Sequence, residues 1–199
     1  MKKLLIVLWL MPFFCHAQDE MIENFIPVID GKVVFSSEYN LEMNKQDIRI
    51  KLKNWLENSF LQKNGTITLD DTVSNIIVCR KIDELEISRK IVSHFTMTMR
   101  YTLVLEYKDN YCLATIKNIS YIDPDELPRK GEKPTVYSAE MILIEKKFTN
   151  LFITDASDQI TSKTLDRIEA IFQDIKDQFF PKKQEIRQRS WQNRGGTSQ

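Results

Sequence analysis

Every second position from 95 to 107 carries a large apolar side chain: Phe95, Met97, Met99, Tyr101, Leu103, Leu105 and Tyr107, with Thr96, Thr98, Arg100, Thr102, Val104 and Glu106 between them. Side chains on a strand point alternately to opposite faces, so this stretch reads as one long strand with one face buried. A chain holding such a strand must build a sheet and cover one side of it. Asp109-Asn110 follows as a two-residue turn, which sets Tyr107 opposite Cys112, Leu105 opposite Ala114 and Leu103 opposite Ile116. Large residues then meet small ones on the core side.

The rest of the body supplies partners for that strand. Gly31 opens a first strand through Lys32-Val33-Val34-Phe35 to Tyr39. Asn44 caps a helix with Asp47 near its positive end, and Ile48, Leu52, Trp55, Leu56 and Phe60 recur at helical spacing until Asn64-Gly65 stops it. Residues 66–69 and 76–81 read as a hairpin joined through 70–75. Over residues 123–137, Pro124, Pro128, Gly131 and Pro134 among charges predict loop. Ser138 caps a short helix with Met141, Ile144, Phe148, Leu151 and Phe152 on one face, although 141–144 also suits a strand. In the final helix Leu165, Ile168, Ile171, Phe172, Ile175 and Phe179 form an apolar stripe, with Thr161 or Asp158 as cap and Pro181 as terminator.

The two ends of the chain differ from this body. Lys2 and Lys3, the apolar run 4–14 and Ala17 have the order of a cleaved export signal, so the mature protein is expected to start at Gln18. The run is roughly half the ~20 residues of a membrane span and Asp19-Glu20 follows it, which argues against permanent anchoring. Cys15 follows Phe13 and Phe14, where a lipidated cysteine would need small residues. Removing Lys2 and Lys3 from 28 basic residues against 28 acidic ones leaves a charge of −2. The tail 181–199, with Lys182, Lys183, Arg187, Arg189 and Arg194 against Glu185, carries +4, so the body 18–180 carries −6. Trp191 is the tail's only aromatic residue, too little apolar surface to offset chain entropy, and disorder is expected there. The expected division is signal 1–17, a single α+β domain 18–180 and a basic tail 181–199.

Strand, helix, four antiparallel strands and helix is the resulting order, and here the chain resembles a known group, domain of unknown function 4468, found in exported proteins of Bacteroidetes-type bacteria. Lys32-Val33-Val34-Phe35, Trp55 late in the first helix, the strands around Lys108-Asp109-Asn110 and the long terminal helix carry the resemblance, over residues 31–180. It implies a fold like that of the TATA-box-binding protein: a curved antiparallel sheet of about five strands with helices packed on one face, plus here a short helix before the last. It brings over no catalytic or binding residue. Asn110 stands where a glycine is usual in that turn, and Asn tolerates the left-handed conformation.

Catalytic chemistry finds little to use. His94 is the one histidine after the signal, Gly31, Gly65 and Gly131 stand alone before the tail, and no Gly-x-Ser-x-Gly or Cys-x-x-Cys occurs. Asp70-Asp71, Asp83-Glu84-Glu86 and Asp123-Pro124-Asp125-Glu126 are expected in loops as solvated charge. Cys79 and Cys112 are expected on strands separated by the long one, too far apart for a disulfide. Neither a metal nor a cofactor is expected.

The second face of the sheet is the more useful feature. Thr98, Arg100 and Thr102, with Tyr111 and Lys117 on the neighbouring strand, are the candidate binding residues, suited to an envelope protein or a glycan. An acidic, exported body is a poor binder of nucleic acid. The expected function is non-catalytic binding in the periplasm or at the cell envelope. The alternatives are an envelope hydrolase using paired carboxylates and a structural subunit that self-associates through a sheet edge.

Overall fold

The computed structural model describes residues 26–62, 64–87, 95–122, 133–148 and 155–181. The expected signal, Cys15, His94, the stretch 123–132, Leu151, Phe152 and the tail after Pro181 lie outside the described residues. Asp30 and Gly31 adopt φ of 51° and 73° and turn the chain between β1 (Val28–Ile29) and β2 (Lys32–Val33). The strand expected to open at Gly31 is therefore divided: Gly31 makes the turn, and β3 (Phe35–Asn40) enters the main sheet.

The first helix, α1 (Lys45–Asn58), is capped by Asn44, whose side chain accepts from the Gln46 and Asp47 amides at 3.0 Å each and donates to the Asp47 carboxylate at 2.8 Å. Ile48, Leu52, Trp55 and Leu56 face inward. A short 3-10 turn, Phe60–Gln62, comes next, and Asn64 at φ 54° reverses the chain. A side chain at Gly65 would bring its β-carbon within 2.9 Å of Leu61 Cα.

β4 (Gly65–Asp71) and β5 (Ile76–Ile87) form the expected hairpin, but both strands are longer than expected. Ladder pairing carries them through polar positions, so Asp70 and Asp71 lie in β4, and Asp83, Glu84 and Glu86 in β5, rather than in loops. β6 (Phe95–Lys108) and β7 (Tyr111–Ile122) pair in the expected register, with Leu103 opposite Ile116, Leu105 opposite Ala114 and Tyr107 opposite Cys112. Asn110 takes the turn at φ 62°. Past this point β7 holds a bulge: the pairing shifts by one between Thr102–Lys117 and Arg100–Ser120, with Asn118 at φ 55°. Inward positions switch phase there, from Cys112, Ala114 and Ile116 to Ile119 and Tyr121.

β8 (Val136–Ser138) pairs with the end of β7, in a stretch expected to be loop. Ser138 does act as a cap, its hydroxyl accepting from the Met141 amide at 3.3 Å. The capped element is a single π-helical turn, Glu140–Ile144, closed by the Glu145 amide donating to the Glu140 carbonyl. The wide turn buries Ile142 and Leu143 and leaves Met141 and Ile144 outside, the reverse of the expected face. α2 (Ala156–Phe179) starts at Asp155, earlier than Thr161 or Asp158; Thr161 instead donates to the Ser157 carbonyl within the helix. Its stripe is as expected: Ile168, Ile171, Ile175 and Phe179 are buried, and Leu165 and Phe172 pack on the core.

The main sheet has six strands, all antiparallel, in the order β3-β7-β6-β5-β4, with β8 beside β3 on the same side of β7. β8 accounts for the strand beyond the expected count. Both described α-helices pack on one face, against β5, β6, β3 and each other. Cys79 and Cys112 are buried free thiols on strands separated by β6; burial pushes both up to about 12, with the Asp70 charge contributing at Cys79. No helix among the described residues is long and apolar enough to cross a membrane.

Candidate functional site

Among the described residues no helix lies over the sheet face away from α1 and α2, and the ladder fixes which side chains are neighbours on it. Arg80, Thr102 and Lys117 lie in one row across β5, β6 and β7, with Thr66 beyond Arg80 on β4. The next row is Ile82, Arg100, Ser120 and Ser138; the one after it is Glu84, Thr98, Ile122 and Val136. Thr98, Arg100, Thr102 and Lys117 are thus brought together. Tyr111 is not among them: it pairs with Lys108 beside the turn, six residues before Lys117 on β7 and so about 20 Å away along the strand. The Lys108 ammonium lies 4.7 Å from the centre of its ring.

Arg80 belongs to this patch and is absent from the candidates that the sequence suggests. The signal is present, because the alternation of Ile77 and Cys79 with Val78 and Arg80 places Arg80 on the outer face. No ion pair among the described residues engages Arg80, Arg100 or Lys117. On the turn side the patch is bounded by an apolar row in which Val104 lies between Val78 and Thr115, with Leu69 beyond Val78. Val104, set between Val78 and Thr115 in this row, is only 7% exposed.

A second polar group sits on the helix side. Asp83 Oδ2 accepts from the Tyr101 hydroxyl and from Arg167 Nε, each at 2.7 Å. Lys81, 5% exposed, places its ammonium 3.8 Å from Asp83 Oδ1, donates to the Phe60 carbonyl at 2.5 Å and lies 4.5 Å from the Phe60 ring centre. Burial lowers the pKa of the Lys81 ammonium, an effect that Asp83 opposes. Burial, with the Asp83 carboxylate beside it, pushes the Tyr101 phenol far up. The group borders a recess of about 700 Å³ lined by Gln62, Asn64, Glu84 and Arg167. Sequence reasoning misses it by assigning Asp83 to a loop. Ile77, Cys79, Leu85 and Ile87 hold odd positions on both sides of it, and that continuity puts residues 81 and 83 on the core face.

A curved antiparallel sheet with both described α-helices on one face defines an α+β protein of TATA-box-binding-protein-like fold. The family model described as "Domain of unknown function (DUF4468) with TBP-like fold" matches residues 30–122, so the chain resembles that family from the first hairpin turn to the end of β7. It is also similar to the crystal structure of a DUF4468 family protein from Bacteroides ovatus ATCC 8483, with 21% identity and a TM-score of 0.63, over 77% of this chain and 90% of that one. A TBP-like protein from Parabacteroides distasonis ATCC 8503 gives 20% identity and a TM-score of 0.60, over 78% of this chain and 97% of that one. At these identities the likeness shows the fold. No curated protein matches the chain.

Proposed function

We propose that the chain is an exported, non-catalytic binding domain that presents its open sheet face to an acidic partner at the cell envelope, a protein or a glycan. One observation carries this reading: Arg80, Arg100 and Lys117 stand on three adjacent strands among threonine hydroxyls, with no helix over them and no ion pair to them among the described residues. A body of net charge −6 that gathers cations on one surface has a local preference for anions opposite to its overall charge. Export rests on the signal-like residues 1–17, and keeps the TBP-like fold apart from DNA. The hydrolase alternative asks for two carboxylates across one cleft. Asp83 and Glu84 share a recess, but neighbours on a strand point to opposite faces, and Arg167, Tyr101 and Lys81 already engage Asp83.

The test is capture from an envelope extract at low and high salt. The mature protein, the protein shortened after Phe180 and an Arg100→Glu/Lys117→Glu variant are compared. The reading expects capture by the first two, weakening with salt, and loss with the variant. Capture that disappears with the tail, or that the charge reversal leaves intact, moves recognition off this face.

A further inference from the structure

The outer edge of β3 presents a row of backbone groups away from the sheet. The Leu41 amide donates to the Asn110 carbonyl at 2.9 Å, on the β7 side, and the Val34 amide donates to the Pro27 carbonyl at 3.1 Å, on the other side. Amides alternate in direction along a strand, so those of Phe35, Ser37 and Tyr39 serve the β7 ladder and those of Ser36, Glu38 and Asn40 point outward. β3 ends the path of the main sheet, and among the described residues no backbone carbonyl accepts from these three amides. Beside this edge lies a recess of about 700 Å³, lined by Pro27 and Ile29 at the first hairpin, Ser37 and Tyr39 of β3, and Leu165 and Phe172 of α2. Tyr39 ties strand to helix there, its hydroxyl donating to the Phe172 carbonyl at 2.8 Å. A free edge next to a partly apolar recess suits an added strand: main-chain bonds hold it, and alternate side chains enter the recess.

The first hairpin selects the occupant. Val28 pairs with Val33 and Ile29 with Lys32, and the Pro27–Val34 bond continues that register by one step. Pro27 has no amide to return, so this pair holds one bond instead of two. A further step sets Ile26 opposite Phe35, and Ile26 packs against the core to which Phe35 belongs. Positions 25, 24, 23, 22 and 21 then fall opposite Ser36, Ser37, Glu38, Tyr39 and Asn40, so the five residues before Ile26 span the free edge. A second copy fits worse. Its β3, paired antiparallel about Ser37, needs its Asn40 opposite Val34, where Pro27 already lies; paired about Glu38, it sets two Glu38 carboxylates against each other. We infer that β3 is a strand-accepting edge and that residues 21–25 of the same chain fill it, antiparallel to β3. In that register Phe25, Glu23 and Met21 exchange main-chain bonds with Ser36, Glu38 and Asn40, while Asn24 and Ile22 share the face of Ser37 and Tyr39 and bring Ile22 to the recess. Glu23 meets Glu38 as a like-charge pair, the one unfavourable contact of the set. This edge is apart from the open sheet face, and the inference does not depend on the function proposed for that face.

The test uses the protein starting at Gln18. Asn24→Cys with Ser37→Cys makes a non-hydrogen-bonded antiparallel pair, whose Cα atoms are about 4.5 Å apart and within disulfide range. Mild oxidation is expected to join this pair within one chain. Glu23→Cys with Ser37→Cys, whose side chains point to opposite faces, is expected to close at least about tenfold more slowly. Cys79 and Cys112 are buried and do not compete. In the unsubstituted protein, hydrogen exchange at the Ser36 and Glu38 amides is expected to be at least about tenfold slower than in an unpaired chain. Ile22→Asp is expected to reduce that protection, and Glu23→Gln, which removes the like-charge pair, to increase it. The inference is overturned if the two cysteine pairs close at equal rates, or if Ser36 and Glu38 exchange like unpaired amides. A 24–37 bond that forms between two chains would overturn it in favour of a second copy. Protection that neither substitution alters would overturn it as well, by showing that something else covers the edge.

Discussion

Arg167 Nε donates to Asp83 Oδ2 over 2.7 Å, joining the terminal helix to the sheet across 84 positions of sequence. Asp83 is 13% exposed and Arg167 34%, so the carboxylate is the partner that cannot turn to water. Arg167→Met leaves it to Tyr101 and Lys81 and is expected to lower stability by about 1.5–3 kcal/mol. Urea unfolding measures this, and a loss within experimental scatter would show the pair to be dispensable. Adding Asp83→Leu is expected to restore part of the loss, because the orphaned charge is then gone.

Two asparagines in left-handed backbone give opposed predictions for opposed substitutions. Asn118 holds the β7 bulge at φ 55° and Asn110 the hairpin turn at φ 62°. Glycine at either position is expected to hold or slightly raise the melting temperature. Valine at 118 is expected to cost about 1–2 kcal/mol, because a branched β-carbon meets the backbone there. If Asn118→Val melts like the parent, the bulge is not set by that residue's conformation.

Acid is expected to destabilise the fold through Asp70 and Glu140. At Asp70 burial opposes ionisation, but hydrogen bonds from Lys53 and Arg49 outweigh it and hold the carboxyl below 3.8. At Glu140 burial is likewise outweighed, by the Val33 and Glu140 amides, Ser138 and Lys32, which hold the carboxyl below 4.5. Both folded values lie below the unfolded ones, so their stabilisation is complete above the unfolded values and is lost as pH falls through the folded ones. Urea midpoints measured from about pH 6 down to about pH 3 should decline, and Asp70→Asn should flatten that slope. A parallel decline in the variant would assign the acid sensitivity elsewhere.

Arg100→Glu and Lys117→Glu are expected to change stability by no more than about 0.5 kcal/mol, since no ion pair among the described residues engages either cation. Denaturation curves that overlay the parent's are the control that makes any loss of capture a binding effect.

Much of this architecture can be read from the sequence where one rule acts alone. The β6–β7 register follows from alternation and a two-residue turn, and Leu103 meets Ile116 for that reason. Legibility fails where two signals compete. Lys81 and Asp83 look like solvent-facing charge, and only their parity with Ile77 and Leu85 shows that they face the helices. Gly31 reads as a strand start because the partner strand before it, Val28–Ile29, is only two residues long. Four of the five residues expected on the open face are neighbours because parity along β6 and β7 determines them. Tyr111 shares the face but not the place, since parity says nothing about distance along a strand.

β7 receives β3 and β8 end to end along one side, at residues 111–116 and 120–122, with the Asn118 bulge in the interval. The outermost rank of the sheet is therefore assembled from two pieces contributed by opposite ends of the domain, each waiting for the β6–β7 hairpin to exist before it has anything to zip onto. Closing these long-range contacts is the expected slow step of folding. Substitutions at that seam should therefore change how fast the molecule matures more than the structure it reaches.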